Sequence, residues 1–203
     1  MFNKLASSIV SRMERNAEIP PGDREIYLFG VWQGLFMLLN IATMILIGLI
    51  SGAFLYVLVF ALAYIPLRSF AGGYHAKTQV RCYIASIIMM VFVARASIIL
   101  PLDSLLVAAL LIVFSVLIIA LAPVGNANKP LDDLEIKAYK TKVTKICVAE
   151  VLFALIFLSL GTLVVFIGVF WSLAIVLALL VLEKLFGQRI KKTILTEEPQ
   201  SNP

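Results

Sequence analysis

The stretch IYLFGVWQGLFMLLNIATMILIGLISGAFLYVLVFALAYIPL, residues 26–67, decides the fold. It places 42 residues between Glu25 and Arg68 without a single charge. One helix of that length would run ~63 Å at ~1.5 Å per residue, about twice the hydrocarbon thickness of a bilayer, so the segment must fold back on itself. Ser51-Gly52 is the natural break, because Gly and Ser punctuate apolar runs. The result is one span near residues 28–50 and a shorter one near 53–67.

The rest of the chain repeats this pattern. An uncharged run covers 82–102 apart from Arg95, and another covers 105–122 after the turn-like Pro101-Leu102-Asp103-Ser104. Between Glu150 and Glu183 lie 32 uncharged residues, again too many for one crossing. A turn at Gly168 divides them into spans near 146–167 and 169–186. Across all 203 residues the hydrophobic fraction is 62% and the charged fraction 14%, against roughly 45–50% and about 25% in soluble proteins. A soluble enzyme domain, a nucleic-acid module and a disordered chain are excluded, since none could hide so much apolar surface.

The basic residues set the topology. Of 17 Lys and Arg, four precede the first span, three fall between the second and third, five between the fourth and fifth, and four at or after the end of the sixth. Only Arg95 sits inside a span, with Asp103 as a possible ion-pair partner near the outer face. Basic loops stay cytoplasmic, so the sequence predicts an all-α integral membrane protein of about six transmembrane helices with both termini cytoplasmic. Four spans plus re-entrant hairpins is the fallback, because spans two and six are short. Phe2, Leu5, Ile9 and Met13 recur at helical spacing and predict an N-terminal amphipathic helix; a solvated arm is the plainer reading. The expected organisation is an arm over 1–27 with no signal peptide, a membrane unit over 28–186, and a basic then disordered tail over 187–203. The net charge of +5 reports topology and no nucleic-acid partner.

Polar chemistry concentrates in one inner connection, Arg68-Ser-Phe-Ala-Gly-Gly-Tyr-His75-Ala-Lys-Thr-Gln-Val-Arg-Cys82, which holds the chain's single histidine and one of its two cysteines. A cysteine nucleophile needs a base or a neighbouring cation to form thiolate, and His75 can supply one. Seven residues apart on a straight helix, the two would be ~10.5 Å apart along the axis. They meet only if His75 lies on a loop that folds back toward the first turn of span three. Gly72-Gly73 offers the φ > 0 conformations such a loop uses. The plainer alternatives are an interfacial histidine and a cysteine acting as a small apolar residue, and Cys147 is a competing thiol. No metal-ligand cluster and no cofactor motif is present, so neither a metal nor a cofactor is expected.

The segment resembles the accessory gene regulator B family, polytopic bacterial membrane cysteine endopeptidases that process peptide pheromone precursors in Gram-positive quorum sensing. Arg68, Gly72-Gly73, His75-Ala76 and Cys82 carry the resemblance. Ala122-Pro123-Val124 leading to Asn128-Lys129-Pro130-Leu131 looks like the family's segment after span four, and the amphipathic start and basic second-half loop extend the likeness over the whole chain. The resemblance implies Cys82 as nucleophile and His75 as general base, with supporting roles for Arg68, Gly72, Gly73 and Gln33. The substrate it implies is an AgrD-like precursor with an acidic carboxyl-terminal segment, docked by Lys129, Lys137, Lys140 and Lys142 on the loop 129–145, and cyclised to a thiolactone or lactone. Attraction of the lysines to anionic lipid is the physical alternative and is compatible with docking. A homodimer is likewise implied. A small transporter or a scaffold without chemistry is the rival class; a transporter should carry several ionisable groups at mid-membrane, and these spans are nearly free of them.

Overall fold

The computed structural model describes residues 2–16, 20, 22–73, 78–99, 103–125 and 132–197. These residues form seven helices and no strand: α1 (Phe2–Arg15), α2 (Arg24–Ile50), α3 (Phe54–Ala71), α4 (Gln79–Ile99), α5 (Ser104–Leu121), α6 (Asp133–Ser159) and α7 (Leu163–Glu197). Five are long and apolar enough to cross a membrane: α2, α3, α4, α5 and the Leu163–Leu185 part of α7.

The chain divides into two units, Met1–Leu46 and Ile47–Pro203. In the first, Ala6 and Val10 of α1 are buried, whereas Leu5 of the expected apolar face is about half exposed. Arg24 at the start of α2 pairs with Glu14 at 3.2 Å. Asn40 and Thr43 turn their side-chain donors back onto the Phe36 and Leu39 carbonyls at 2.9 and 2.8 Å, the usual way a polar side chain is satisfied within an apolar helix.

In the second unit, α3, α5, α6 and α7 share one core. It is built from Leu67, Val107, Leu111, Ile118, Val143, Cys147, Phe166, Leu173, Val176 and Leu180, among others. α4 lies outside this core and packs on α3 and α7, with Phe92 edge-on to Trp171 at 5.1 Å.

The break at Ser51-Gly52 forms as expected. Gly52 has φ +68°, its N–H donates to Leu49 at 3.2 Å, and the Ala53 N–H donates to Gly48 at 3.0 Å. These two bonds close a helix end through a left-handed glycine. The same arrangement corrects the second expected break. Gly161, not Gly168, ends α6: φ is +75°, its N–H reaches Leu158 at 3.0 Å, and the Thr162 N–H reaches Phe157 at 2.8 Å. Gly168 lies buried inside α7, where a Cβ would stand 2.7 Å from Val59 Cγ1 of α3. That glycine lets two helices cross closely.

The expected fifth span over 146–167 is therefore replaced by α6, which starts thirteen residues earlier and ends eight earlier. The expected loop over 129–145 is helical from Asp133 onward, because Asp132 and Glu135 form a capping box; the Asp132 carboxylate accepts from the Glu135 N–H at 2.7 Å. Lys137, Lys140, Lys142 and Lys145 therefore stand on the first half of α6, which is why α6 is absent from the five apolar helices. Asp103 caps α5 by accepting from the Leu106 N–H at 2.8 Å, and among the described residues it forms no ion pair with Arg95.

Candidate active site

The site grows from the end of α3. Its last residues, Arg68-Ser-Phe-Ala71, lead into Gly72 at φ +75° and Gly73 at φ +109°, both in the region that glycine occupies without cost. The space is as demanding as the dihedrals. A Cβ at Gly72 would run into the Val124 carbonyl, and one at Gly73 would stand 3.1 Å from the Leu179 carbonyl of α7 and 3.3 Å from Arg68 Nη1.

Two strands of irregular chain meet here. The Val124 N–H donates to Ala71 at 2.9 Å, and the Gly73 N–H donates back to Val124 at 3.4 Å, making a parallel bridge between Gly72 and Val124. Arg68 closes the turn from inside by donating from Nη1 to the Gly72 carbonyl. Tyr64, one helical turn earlier on α3, shares a hydrogen bond with Arg68 and lies within electrostatic reach of Cys82. On the other side of the bridge, Lys140 of α6 donates to the Ile119 and Ala122 carbonyls at the end of α5, the second at 2.9 Å.

Cys82 stands in the first turn of α4. Thr78 caps that helix, with Oγ1 accepting from the Arg81 N–H at 3.3 Å, and the Cys82 N–H makes the first intrahelical bond to the Thr78 carbonyl at 3.0 Å. The first turn of a helix presents unpaired N–H groups and the positive end of the helix dipole, both of which favour an anion. The Cys82 side chain is exposed, whereas Cys147 is fully buried in the core of α5, α6 and α7; both are free thiols. His75 lies outside the described residues, but both ends of its segment, Gly73 and Thr78, are placed. Lys129 also lies outside them.

The remaining site residues divide by position. Lys137 is exposed on α6, and Lys142 sits 4.5 Å over the Phe70 ring, itself edge-on to Tyr139 at 5.6 Å. Gln33 is an exposed residue of α2 in the first unit. The structure thus gathers Arg68, Gly72, Gly73, Cys82, Lys140 and Lys142 at one end of the second unit. Sequence reasoning missed Tyr64, Thr78, Val124 and Leu179. The signal for Tyr64 was its spacing of four before Arg68, and for Thr78 its place as a capping residue three before Arg81. Val124 belongs to the Ala122-Pro123-Val124 motif, but nothing local marks its role or that of Leu179, because both act through their backbone.

Comparison with known proteins points the same way. A family model described as Accessory gene regulator B matches residues 3–183. The Accessory gene regulator protein B of Staphylococcus aureus is 34% identical over 85 residues, 42% of this chain and 46% of that protein. The protein of the same name from Staphylococcus carnosus is 32% identical over 111 residues, 55% of this chain and 57% of its own. AgrB-like protein 2 of Clostridium perfringens is 23% identical over 181 residues, 86% of this chain and 83% of its own. The chain thus spans about half the length of the staphylococcal relatives it matches. No solved structure matches it.

Proposed function

The chain belongs to the accessory gene regulator B family, and from that premise we propose that it is a membrane cysteine endopeptidase of bacterial quorum sensing, cleaving an AgrD-like peptide precursor and promoting its cyclisation. The observation that carries this reading is the placement of Cys82: an exposed thiol in the first turn of a capped helix, joined by a four-residue segment containing His75 to a glycine turn clamped from three sides. The buried Cys147 offers a peptide no access.

In this mechanism the His75 imidazole takes the Cys82 thiol proton as sulfur attacks a precursor carbonyl. The tetrahedral oxyanion is stabilised by N–H groups in the first turn of α4. Its collapse breaks the C–N bond, the imidazolium returns the proton to the leaving amine, and an acyl-enzyme thioester remains. A thiol or hydroxyl within the bound peptide then attacks the thioester. Cys82 departs as thiolate, His75 collects the attacking group's proton, and the ring closes as a thiolactone or lactone. Thioester exchange conserves bond type, so no ATP is consumed in forming a thiolactone. Water must be kept from the thioester for cyclisation to compete with hydrolysis.

Topology follows from the same reading. With both termini and the basic end cytoplasmic, 16 of the 17 Lys and Arg lie on the inner side, and the second half of α6 is the sixth crossing. Exposed Lys137 and Lys142, with Lys129, receive the acidic carboxyl-terminal segment of the precursor or anionic lipid headgroups, and the enzyme acts as a homodimer in the bacterial cell membrane.

The test is co-expression with a candidate precursor encoded in the neighbouring reading frame. Cleavage should be lost in Cys82→Ala and His75→Ala and retained in Cys147→Ala. Cleavage that survives Cys82→Ala but not Cys147→Ala reassigns the nucleophile, and cleavage by all three variants removes the peptidase reading.

A further inference from the structure

The last turn of α5 has an unusual electrostatic problem. In a continuing helix the N–H of residue 123 would donate to the carbonyl of Ile119, but residue 123 is proline and has no N–H. The carbonyl of Ala122 is likewise past the helix end, where backbone acceptors lack intrahelical partners. Lys140, reaching across from α6, satisfies both with one ammonium group. An ammonium carries three donors, and a cation at this point also faces the negative end of the helix dipole.

The residues fixed in this way lead directly to the site. Two positions after Ala122 stands Val124, whose N–H holds Ala71 at 2.9 Å and whose carbonyl accepts from Gly73 at 3.4 Å. Gly73 is the last placed residue before the segment that carries His75. An unbroken path of hydrogen bonds and short covalent links therefore runs from the Lys140 ammonium, through Ala122 and Val124, to the origin of that segment. Of the other α6 lysines, Lys142 lies over an aromatic ring, and Lys137 and Lys145 are exposed.

We propose that Lys140 is a positioning residue for the reacting pair: its ammonium fixes the Ala122–Pro123–Val124 strap, and the strap sets the register of the Gly72–Gly73 turn, which precedes His75 in the chain by two residues. This rests on the reading of Cys82 and His75 as the reacting pair. It separates Lys140 from lysines that hold substrate. A docking cation acts on precursor affinity, whereas a positioning residue acts on the geometry of the reacting groups, to which rates are steeply sensitive.

The experiment compares Lys140→Met, Lys140→Arg and Lys142→Met in the full chain reconstituted into vesicles, with a synthetic precursor peptide. Lys140→Met keeps the apolar stem and removes the donors, and should lower kcat about 10²-fold with KM within about twofold of wild type. Lys140→Arg, which restores a cationic donor, should recover at least about a tenth of wild-type kcat. Lys142→Met should raise KM and leave kcat near wild type. A raised KM with unchanged kcat in Lys140→Met, or no change in either, overturns the proposal. If Lys140→Met fails to accumulate, Val124→Pro takes its place: it deletes the N–H that reaches Ala71 and should show the same loss in kcat, with wild-type kcat counting against the path. Cys82→Ala run alongside separates the two levels. If Cys82→Ala cleaves normally, the peptidase reading fails. If Cys82→Ala is inactive and Lys140→Met is fully active, only the role of Lys140 fails.

Discussion

The N–H of Val124 donates to the carbonyl of Ala71 at 2.9 Å, joining two parts of the chain some fifty residues apart at the point where α3 stops being helical. Both partners are backbone groups, so the tie does not depend on either side chain. It depends on Gly72, whose missing Cβ leaves room for the Val124 carbonyl.

Glycine replacements should therefore show a graded response. Gly72→Ala meets both a left-handed φ and a backbone carbonyl that cannot rotate away; the conformation alone costs ~1–2 kcal/mol, and the overlap adds to it. Gly73→Ala shares the unfavourable φ but meets its neighbours at 3.1–3.3 Å. Gly52→Ala has φ +68° and nothing within 4 Å, so only the dihedral cost of ~1–2 kcal/mol applies. Thermal unfolding in detergent should rank the losses as Gly72 > Gly73 > Gly52. Precursor cleavage should vanish in the first two and persist in the third. Cleavage by Gly72→Ala at the wild-type rate would show that the Gly72–Val124 bridge plays no part in catalysis.

Arg68 should resist replacement by lysine. Its guanidinium serves the Gly72 carbonyl and the Tyr64 hydroxyl together, which uses the rigid fork of donors that an ammonium lacks. Arg68→Lys should lower cleavage about tenfold to a hundredfold, since a charged hydrogen bond contributes ~1.5–3 kcal/mol. Tyr64→Phe removes one arm and should give the smaller loss, and the double variant should lose less than the sum of the two, because the residues share a bond. Strictly additive effects, measured as kcat/KM on a synthetic precursor, would dissociate Tyr64 from Arg68.

Most helix boundaries were legible because charge is legible: uncharged runs bounded by Glu25, Arg68, Arg81 and Asp103 mark α2 through α5 to within a few residues. The failure fell between Glu150 and Glu183, where two glycines compete and no charge decides. Gly161 follows Ser159-Leu160 and ends a helix by its φ of +75°, while Gly168 has its role in tertiary packing against Val59. That difference lies in the partner helix and is invisible in local sequence. Cys82, the nucleophile we propose, was singled out by the family motif it shares with His75, since spacing alone left Cys147 a close competitor; the clamp around the Gly72–Gly73 turn was not legible, because Val124 and Leu179 act through backbone atoms that any residue provides.

Gly168 gives that distinction a measurable form. Gly168→Ala would place a Cβ 2.7 Å from Val59 Cγ1, 2.9 Å from Val59 Cβ and 3.2 Å from the Phe60 nitrogen. Overpacking of this kind costs ~1–3 kcal/mol. Adding Val59→Ala removes Cγ1 and should recover part of the loss, while Phe60 N keeps recovery incomplete. Had Gly168 been a left-handed turn like Gly52, Gly168→Ala would carry the dihedral cost of ~1–2 kcal/mol, and Val59→Ala would recover none of it. Unfolding midpoints of the two single variants and the double variant, in one detergent, decide between these outcomes.

Thiol accessibility tests the choice between the two cysteines without any substrate. Cys82 is exposed and Cys147 is fully buried among Val143, Leu111 and their neighbours, so alkylation of Cys147 requires the packed helices to open, whereas Cys82 needs no opening. A small water-soluble maleimide added to the reconstituted protein should modify Cys82 at least about 10²-fold faster than Cys147, because opening of a packed core is rare in the folded state. Mass spectrometry of the digested protein reads both sites at once. Denaturation should abolish the difference, which shows that packing and not intrinsic chemistry sets it. Prior incubation with precursor should then slow labelling of Cys82 alone, since the proposed mechanism brings the peptide to that thiol. Protection of Cys147 instead, or equal labelling of both thiols in the folded protein, would move the reacting group away from the start of α4.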